Sequence, residues 1–301
     1  MRIFFLKYFI VLGLLATCCA SKAAVTDSVK VAKRLKWKTE SSNKGSIYLY
    51  WGYNRAWFTH SDIHFAGPEY DMTFYDLKAK DRPSKFSFDA YFKNLSVPQY
   101  NFRLGYFVTN NLHLSFGIDH MKYVVNNDQL AKYSGAISPS FSPTYGGTHF
   151  LDTISLTEHV LRFEHTNGLN LISFDVEYLQ PVANLYRHKL WLKWNFGVGG
   201  VWVITKTDLK VFDDGIDNRF HLSGYSVTAK TGPRLEFWHW AFIASEVKAG
   251  YMTLPDVLIN NDQPKRANHN FGFLEFYIVA GVQVPINRII AHNKAKHSIA
   301  K

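Results

Sequence analysis

Four residues have side chains suited to covalent chemistry: Ser115, Asp119, His120 and His165. A lipid hydrolase or acyltransferase needs a hydroxyl nucleophile, an imidazole to take its proton and a carboxylate to hold that imidazole. The spacing works against such an assembly. Asp119 and His120 are adjacent, and neighbours on a strand point to opposite faces, so they form a dyad only across a bulge. Ser115 and Asp119 share one face, and His120 lies off it. His165 precedes Thr166-Asn167-Gly168, a turn signal that places it near a rim. These four are the catalytic candidates, and the expectation is that the chain is not an enzyme. The 13 histidines are scattered without a His-x-x-Glu-His spacing, and the pairs His64 with Asp62 and His292 with His297 are too small a donor set, so no metal site is expected. Gly197, Gly199 and Gly200 imitate a phosphate loop, but no helical pattern follows them. On strands, glycines relieve crowding or permit bending, and no cofactor is expected.

The elements that must position these residues are strands. From Tyr100 to Val108 the even positions are Tyr100, Phe102, Leu104, Tyr106 and Val108, while the odd ones are Asn101, Arg103, Gly105, Phe107 and, just beyond, Thr109. Such a segment has one apolar face and one mostly polar or small face, and about ten residues of it cross a bilayer as a tilted strand. Eight segments fit: 46–57, 98–109, 112–124, a long one ending at 171–180, 189–206, 222–236, 240–253 and 271–284. Short connectors (Asn110-Asn111, Pro181 to His188, and Trp238-His239) alternate with long ones near 58–97, 125–156, 207–221 and 254–270. Outer-membrane barrels have short periplasmic turns and long external loops, an order that a secreted β-sandwich has no reason to keep. Trp51, Trp191, Trp238, Trp240 and Tyr251 fall near strand ends, where an aromatic girdle would lie. The fold expected is an all-β, antiparallel, up-and-down transmembrane β-barrel of about eight strands. Two strands hidden in the first long loop would make it ten.

The inward positions carry Arg103, Lys193, Lys230, Arg234 and Lys248, and also Asp175, Glu177, Glu236, Glu246 and Glu275. An eight-stranded barrel is just wide enough to be filled by side chains, and buried charges need partners. Equal numbers of each sign predict a closed lumen crossed by a salt-bridge network, which excludes a general porin. Outside the wall, Thr59 to Gln99 is long enough to be functional, and Tyr70 to Lys80 alternates enough for a hairpin. Asp62, His64, Asp76, Asp81 and Arg82 make it the candidate extracellular ligand site.

The ends of the chain set the compartment. Residues 1–23 are expected to be a signal peptide, with Arg2 and Lys7 before an apolar run from Tyr8 to Ala16, cleaved after Ala20 or Ala23. Leu15-Ala16-Thr17-Cys18 offers lipidation at Cys18 as an alternative. Cys18 and Cys19 are the two cysteines, so a chain beginning at Ala24 has no thiol chemistry. The net charge of +10 is concentrated at the termini, in a basic periplasmic segment at 24–44 and a basic tail at 286–301. That distribution favours anionic headgroups over nucleic acid, which is not an expected partner.

Over about residues 45–285 the pattern resembles that of small Gram-negative outer-membrane barrels, the OmpA-like, OmpW-like and lipid A-deacylating proteins. Ser61-Asp62-Ile63-His64-Phe65, Asp119 to Tyr123 and Glu164 to Asn170 are similar to segments of uncharacterised members. The resemblance implies an outer-membrane location, and an even strand count puts both termini in the periplasm. The resemblance also implies outer-membrane lipid, lipopolysaccharide and the barrel-assembly machinery as partners. Such barrels end on an aromatic residue in the last strand, whereas this chain continues for about 16 residues past Pro285, placing any insertion signal near Phe276 to Val284. The expected function is structural, or recognition of a surface ligand. The alternatives are a lipid-modifying enzyme acting on lipid A or phospholipid, and a narrow channel for a small solute.

Overall fold

The computed structural model describes residues 43–83, 98–187, 189–215, 219–259 and 265–286. The expected signal peptide, most of the basic N-terminal segment and the C-terminal tail lie outside the described residues. Along the chain the strands are β1 (Ser46–Phe58), β2 (Ser61–Gly67), β3 (Tyr70–Leu77), β4 (Ala79–Lys80), β5 (Tyr100–Phe107), β6 (Leu112–Val125) and β7 (Gln129–Ile137). They continue with β8 (Gly147–Leu156), β9 (Leu161–Tyr186), β10 (Leu190–Thr205), β11 (Asp208–Val211), β12 (His221–Phe237), β13 (Ala241–Leu258) and β14 (Arg266–Pro285).

Eight of them close a ring in the order β1-β5-β6-β9-β10-β12-β13-β14, with β14 pairing back onto β1 and every pair antiparallel. The ring has a definite stagger. Starting at Ile47, the register runs through Tyr106, Leu114, Val176, Val198, Ala229, Ala249 and Leu274 and returns to β1 at Trp57, ten residues further on. Eight strands with that stagger must tilt by roughly 40°, given the rise per residue and the spacing between strands.

The first long loop does not widen the ring to ten. After Phe58 the chain leaves β14's flank and re-pairs higher up, as β2 against Arg266 to His269. From there β3, β7 and β8 extend the sheet outward. Two short strands brace the tops of the wall, β4 on β6 and β11 on β9. The expected connector from Pro181 to His188 is mostly strand, because β9 continues to Tyr186. Pro181 sits opposite Lys193 at a register shift, a kind of place where a ladder tolerates a missing N–H. The connection from β12 to β13 is Trp238 to Trp240, in which Trp238 and His239 have φ values of 49° and 64°, the left-handed pair of a type I′ turn closed by the Trp240 N–H on the Phe237 carbonyl.

Candidate functional site

Which face is apolar changes with height along the strands. On the lower part of β9, Phe174, Val176 and Tyr178 are exposed outward, while Asp175 and Glu177 are buried in the lumen. Nearer its start the same strand buries Leu161, Phe163, Leu169 and Leu171 inward and turns Arg162, Thr166 and Asn170 outward. The strand β14 repeats this, with Leu274, Phe276 and Ile278 outward below and Phe271 and Phe273 inward above. Lipid explains the lower half and water the upper half. A wall against hydrocarbon gains by facing apolar side chains out, whereas a wall against water must bury them.

The tilt places Trp57, Tyr251, Tyr225 and Trp202, all exposed, within about 3 Å of one level. Tyr106, Tyr178 and Trp194 form a second level about 20 Å below. Those two girdles bound an apolar band of the height expected for an outer membrane.

Between the girdles the lumen is packed with charge. All ten inward residues expected from the sequence are buried in the lumen, joined by Asp119, with Lys193 and Glu236 at its lower end. Arg103 donates to Asp175 and to Asp119, the latter at 3.3 Å, and Lys248 donates to Asp119 as well. Lys230 reaches Asp175 and Glu177, each at 2.9 Å. Asn195 bridges Glu177 and Glu246, donating at 2.7 and 2.9 Å, and Tyr277 also donates to Glu246. Asn101 donates to Asp119 and Glu275, both at 2.8 Å. Lower down, Lys193 and Arg234 share Glu236 at 2.7 and 3.2 Å, and the Arg234 guanidinium lies 3.5 Å from the Phe242 ring centre. Small residues make the room: a Cβ at Gly105 would fall on the ring of Tyr48, and one at Gly199 on the carboxylate of Asp175.

Above the outer girdle an apolar core fills the ring. It includes Phe65, Phe74, Met121, Tyr123, Phe163, Leu169, Met252 and Phe271. Phe65 packs edge-on against both Phe74 and Phe163, so the β2–β3 hairpin forms part of the closure. His165 and His269 stack within this core, with ring centres 5.7 Å apart, and His165 hydrogen-bonds Thr207 at 2.9 Å.

The catalytic candidates do not converge. Ser115 donates to Glu177 and Asp119 is held by Arg103 and Lys248, both in the lumen. His120 is on the outer side, stacked on Tyr100 and bonded to Asn170 at 2.8 Å. His165 pairs with Tyr123, eight residues along β6 from Ser115, a separation of roughly 25 Å. Among the described residues, no group of three or more His, Cys, Asp or Glu is placed to hold a metal ion.

The loop candidates divide into two groups. Asp62, His64 and Asp76 lie on the β2–β3 hairpin. There Asp62 accepts from the Asp76 N–H at 2.8 Å, Asp76 meets His60 at 2.8 Å and His64 meets Asp71 at 2.7 Å. Asp81 and Arg82 are elsewhere, at the top of β1 and β6. Asp81 accepts from Gln99 at 2.7 Å and from the Ala56 N–H at 3.3 Å, and Arg82 pairs with Glu164 at 2.6 Å. Reading the chain in order grouped these five, and the fold separates them. It missed Asp119 as a lumen residue, although Asp119 has the same parity as Ser115 and Gly117. The apolar core above the membrane was missed too, and its signal was the exchange of faces along β9 and β14.

No family model matches the chain, and no curated protein matches it in sequence. Solved structures with a similar course include the outer-membrane protein OprG from Pseudomonas aeruginosa, 7% identical over 80% of this chain and 96% of that one, with a TM-score of 0.41. Neisserial surface protein A is 12% identical over 82% and 99%, with a TM-score of 0.31. Ail of Yersinia pestis, solved with the heparin analogue sucrose octasulfate, is 7% identical over 80% and 99%, with a TM-score of 0.30.

Proposed function

We propose that this protein is a closed barrel of a Gram-negative outer membrane that acts through its extracellular surface, in recognition or in envelope structure, and not as a general porin. The observation that carries this is the filling of the ring at both levels: a charge network within the membrane and an apolar core above it. Eight strands leave no spare width for a water path past Arg103, Tyr48 and Tyr277, each at most 2% exposed. The ends of the ring, Ser46 and Pro285, pair with each other on the side of the short turns, which is the periplasmic side in this reading. Assembly would go through the barrel-assembly machinery, with the last strand offering Phe276 to Val284 as the insertion signal. A lipid-modifying enzyme is disfavoured by the separation of Ser115 from His165 and by the outward placing of His120.

Planar-bilayer recording of the folded full-length protein tests this reading. The expected result is no steady conductance in molar salt. Stable steps that scale with salt concentration would show an open lumen and overturn it.

A further inference from the structure

The outer aromatic girdle is incomplete. Trp57, Tyr251, Tyr225 and Trp202 cover β1, β13, β12 and β10, but on β6 the outward residue at that level is Lys122. The strand β5 has already ended at Tyr100, below that level. The segment from β4 to Pro83 stands in this sector, with β4 paired to β6 through Ala79 with Val125 and Lys80 with Val124. This crossing brings Lys80 and Arg82 to the flank where Arg55 projects from β1. Asp81 ties the segment to β1 through the Ala56 N–H and lines the same cleft as Arg55. Lys122 stands on β6 two residues before Val124, the partner of Lys80. Four cations thus meet two carboxylates, Asp81 and the Glu164 that pairs with Arg82. The excess is positive, and it stands at the height of the lipid headgroups.

A cleft of about 380 Å³ opens in this sector, lined by Arg55, Lys80, Asp81, Trp57, Phe58 and Pro83. We propose that the cleft seats the phosphate of an anionic lipid of the outer leaflet, with Arg55 and Lys80 as its ligands. A guanidinium from β1 and an ammonium from β4 suit a phosphate, the first through paired N–H donors and the second as a point charge. Lys122 on β6 and Arg82 next to Asp81 add to the positive field of this sector. Trp57 and Phe58 supply an apolar floor for the part of the lipid next to the phosphate, as aromatic residues do at membrane interfaces. At this level β1, β10, β12 and β13 carry aromatics, whereas the cations gather in the β1–β4–β6 sector. This inference rests on the membrane reading above and deepens it by naming a partner class.

The test uses the full chain folded into phosphatidylcholine vesicles, with gel mobility before and after heating to establish the barrel first. Vesicles doped with bisphosphorylated lipid A should raise the thermal unfolding midpoint, and vesicles doped with the dephosphorylated lipid should not. In the double variant Arg55→Gln/Lys80→Gln, and in the exposed single variant Lys80→Glu, half-saturation should need about ten-fold more of the phosphorylated lipid, the loss expected for a charge-assisted hydrogen bond. Their midpoints in undoped vesicles should match the parent. Equal responses in parent and variants, or equal responses to both lipids, would overturn the proposal. A rise with inorganic phosphate alone would show a soluble-anion site and overturn the lipid assignment. A chain without a heat-dependent mobility shift would overturn the membrane reading instead.

Discussion

Replacing Arg103 with methionine removes the hub of the charge belt while keeping most of its volume. The wild-type guanidinium is fully buried and donates to Asp175, Asp119 and Ser115. Breaking a buried ion pair from one side costs roughly 3–5 kcal/mol, because the stranded charge keeps its desolvation penalty. Here the lower end applies. Lys248 still holds Asp119 and Lys230 still holds Asp175, so neither carboxylate is left alone. A loss of about 3 kcal/mol, divided by a guanidinium slope of about 6 kcal/mol per molar, lowers the unfolding midpoint by roughly 0.5 M. Adding Asp119→Asn to Arg103→Met removes one of the carboxylates now in excess, so the double variant should recover at least about 1 kcal/mol relative to the sum of the singles. The assay is guanidinium unfolding in detergent micelles, followed by gel mobility and by tryptophan emission. An unchanged midpoint in Arg103→Met, or strict additivity in the double variant, would refute the view that these charges act as one network.

Three further outcomes are expected. Gly105→Ala places a methyl on the Tyr48 ring and should cost about 1–3 kcal/mol by overpacking, with Tyr48→Ala in the same chain relieving part of it, as read by temperature-dependent gel mobility. Phe163→Ala opens the apolar core above the membrane and should cost about 3–5 kcal/mol, appearing as protease cleavage of the β2–β3 hairpin on intact cells; an equally resistant variant would mean that the hairpin does not close the ring. Burial pushes the Asp81 carboxyl above its ordinary value of 3.8, so the fold favours its protonated form. The stability this contributes is full below pH 3.8 and is lost as pH rises through the raised value, so the parent should lose stability relative to Asp81→Asn across that interval, and parallel pH–midpoint curves would exclude the effect.

Much of the wall was legible in the chain because strand parity is a local property. Side chains alternate with the pleat whatever the rest of the molecule does. Tyr100 to Val108 or Leu274 to Val284 therefore declare their lipid face without knowledge of any partner. Connector lengths declared the topology for the same local reason. The charges of both signs on the inward parity told of a filled lumen, since isolated charges there would be too costly.

Tertiary structure alone decided which of those charges meet. Arg103 finds Asp175 and Asp119 because the ring closes with a ten-residue stagger, a property of all eight strands together. It also decided that β9 runs through Pro181, since a register shift against Lys193 absorbs the missing N–H. In sequence Asp81 and Arg82 fall in the same long segment as Asp62 and His64, yet β4 carries them across to β6. The exchange of apolar face along β9 and β14 was present in the chain all along. It acquired its meaning only from the level at which Trp57, Tyr251, Tyr225 and Trp202 stand, because that level separates the lipid-facing wall from the wall that must bury its apolar side chains away from water.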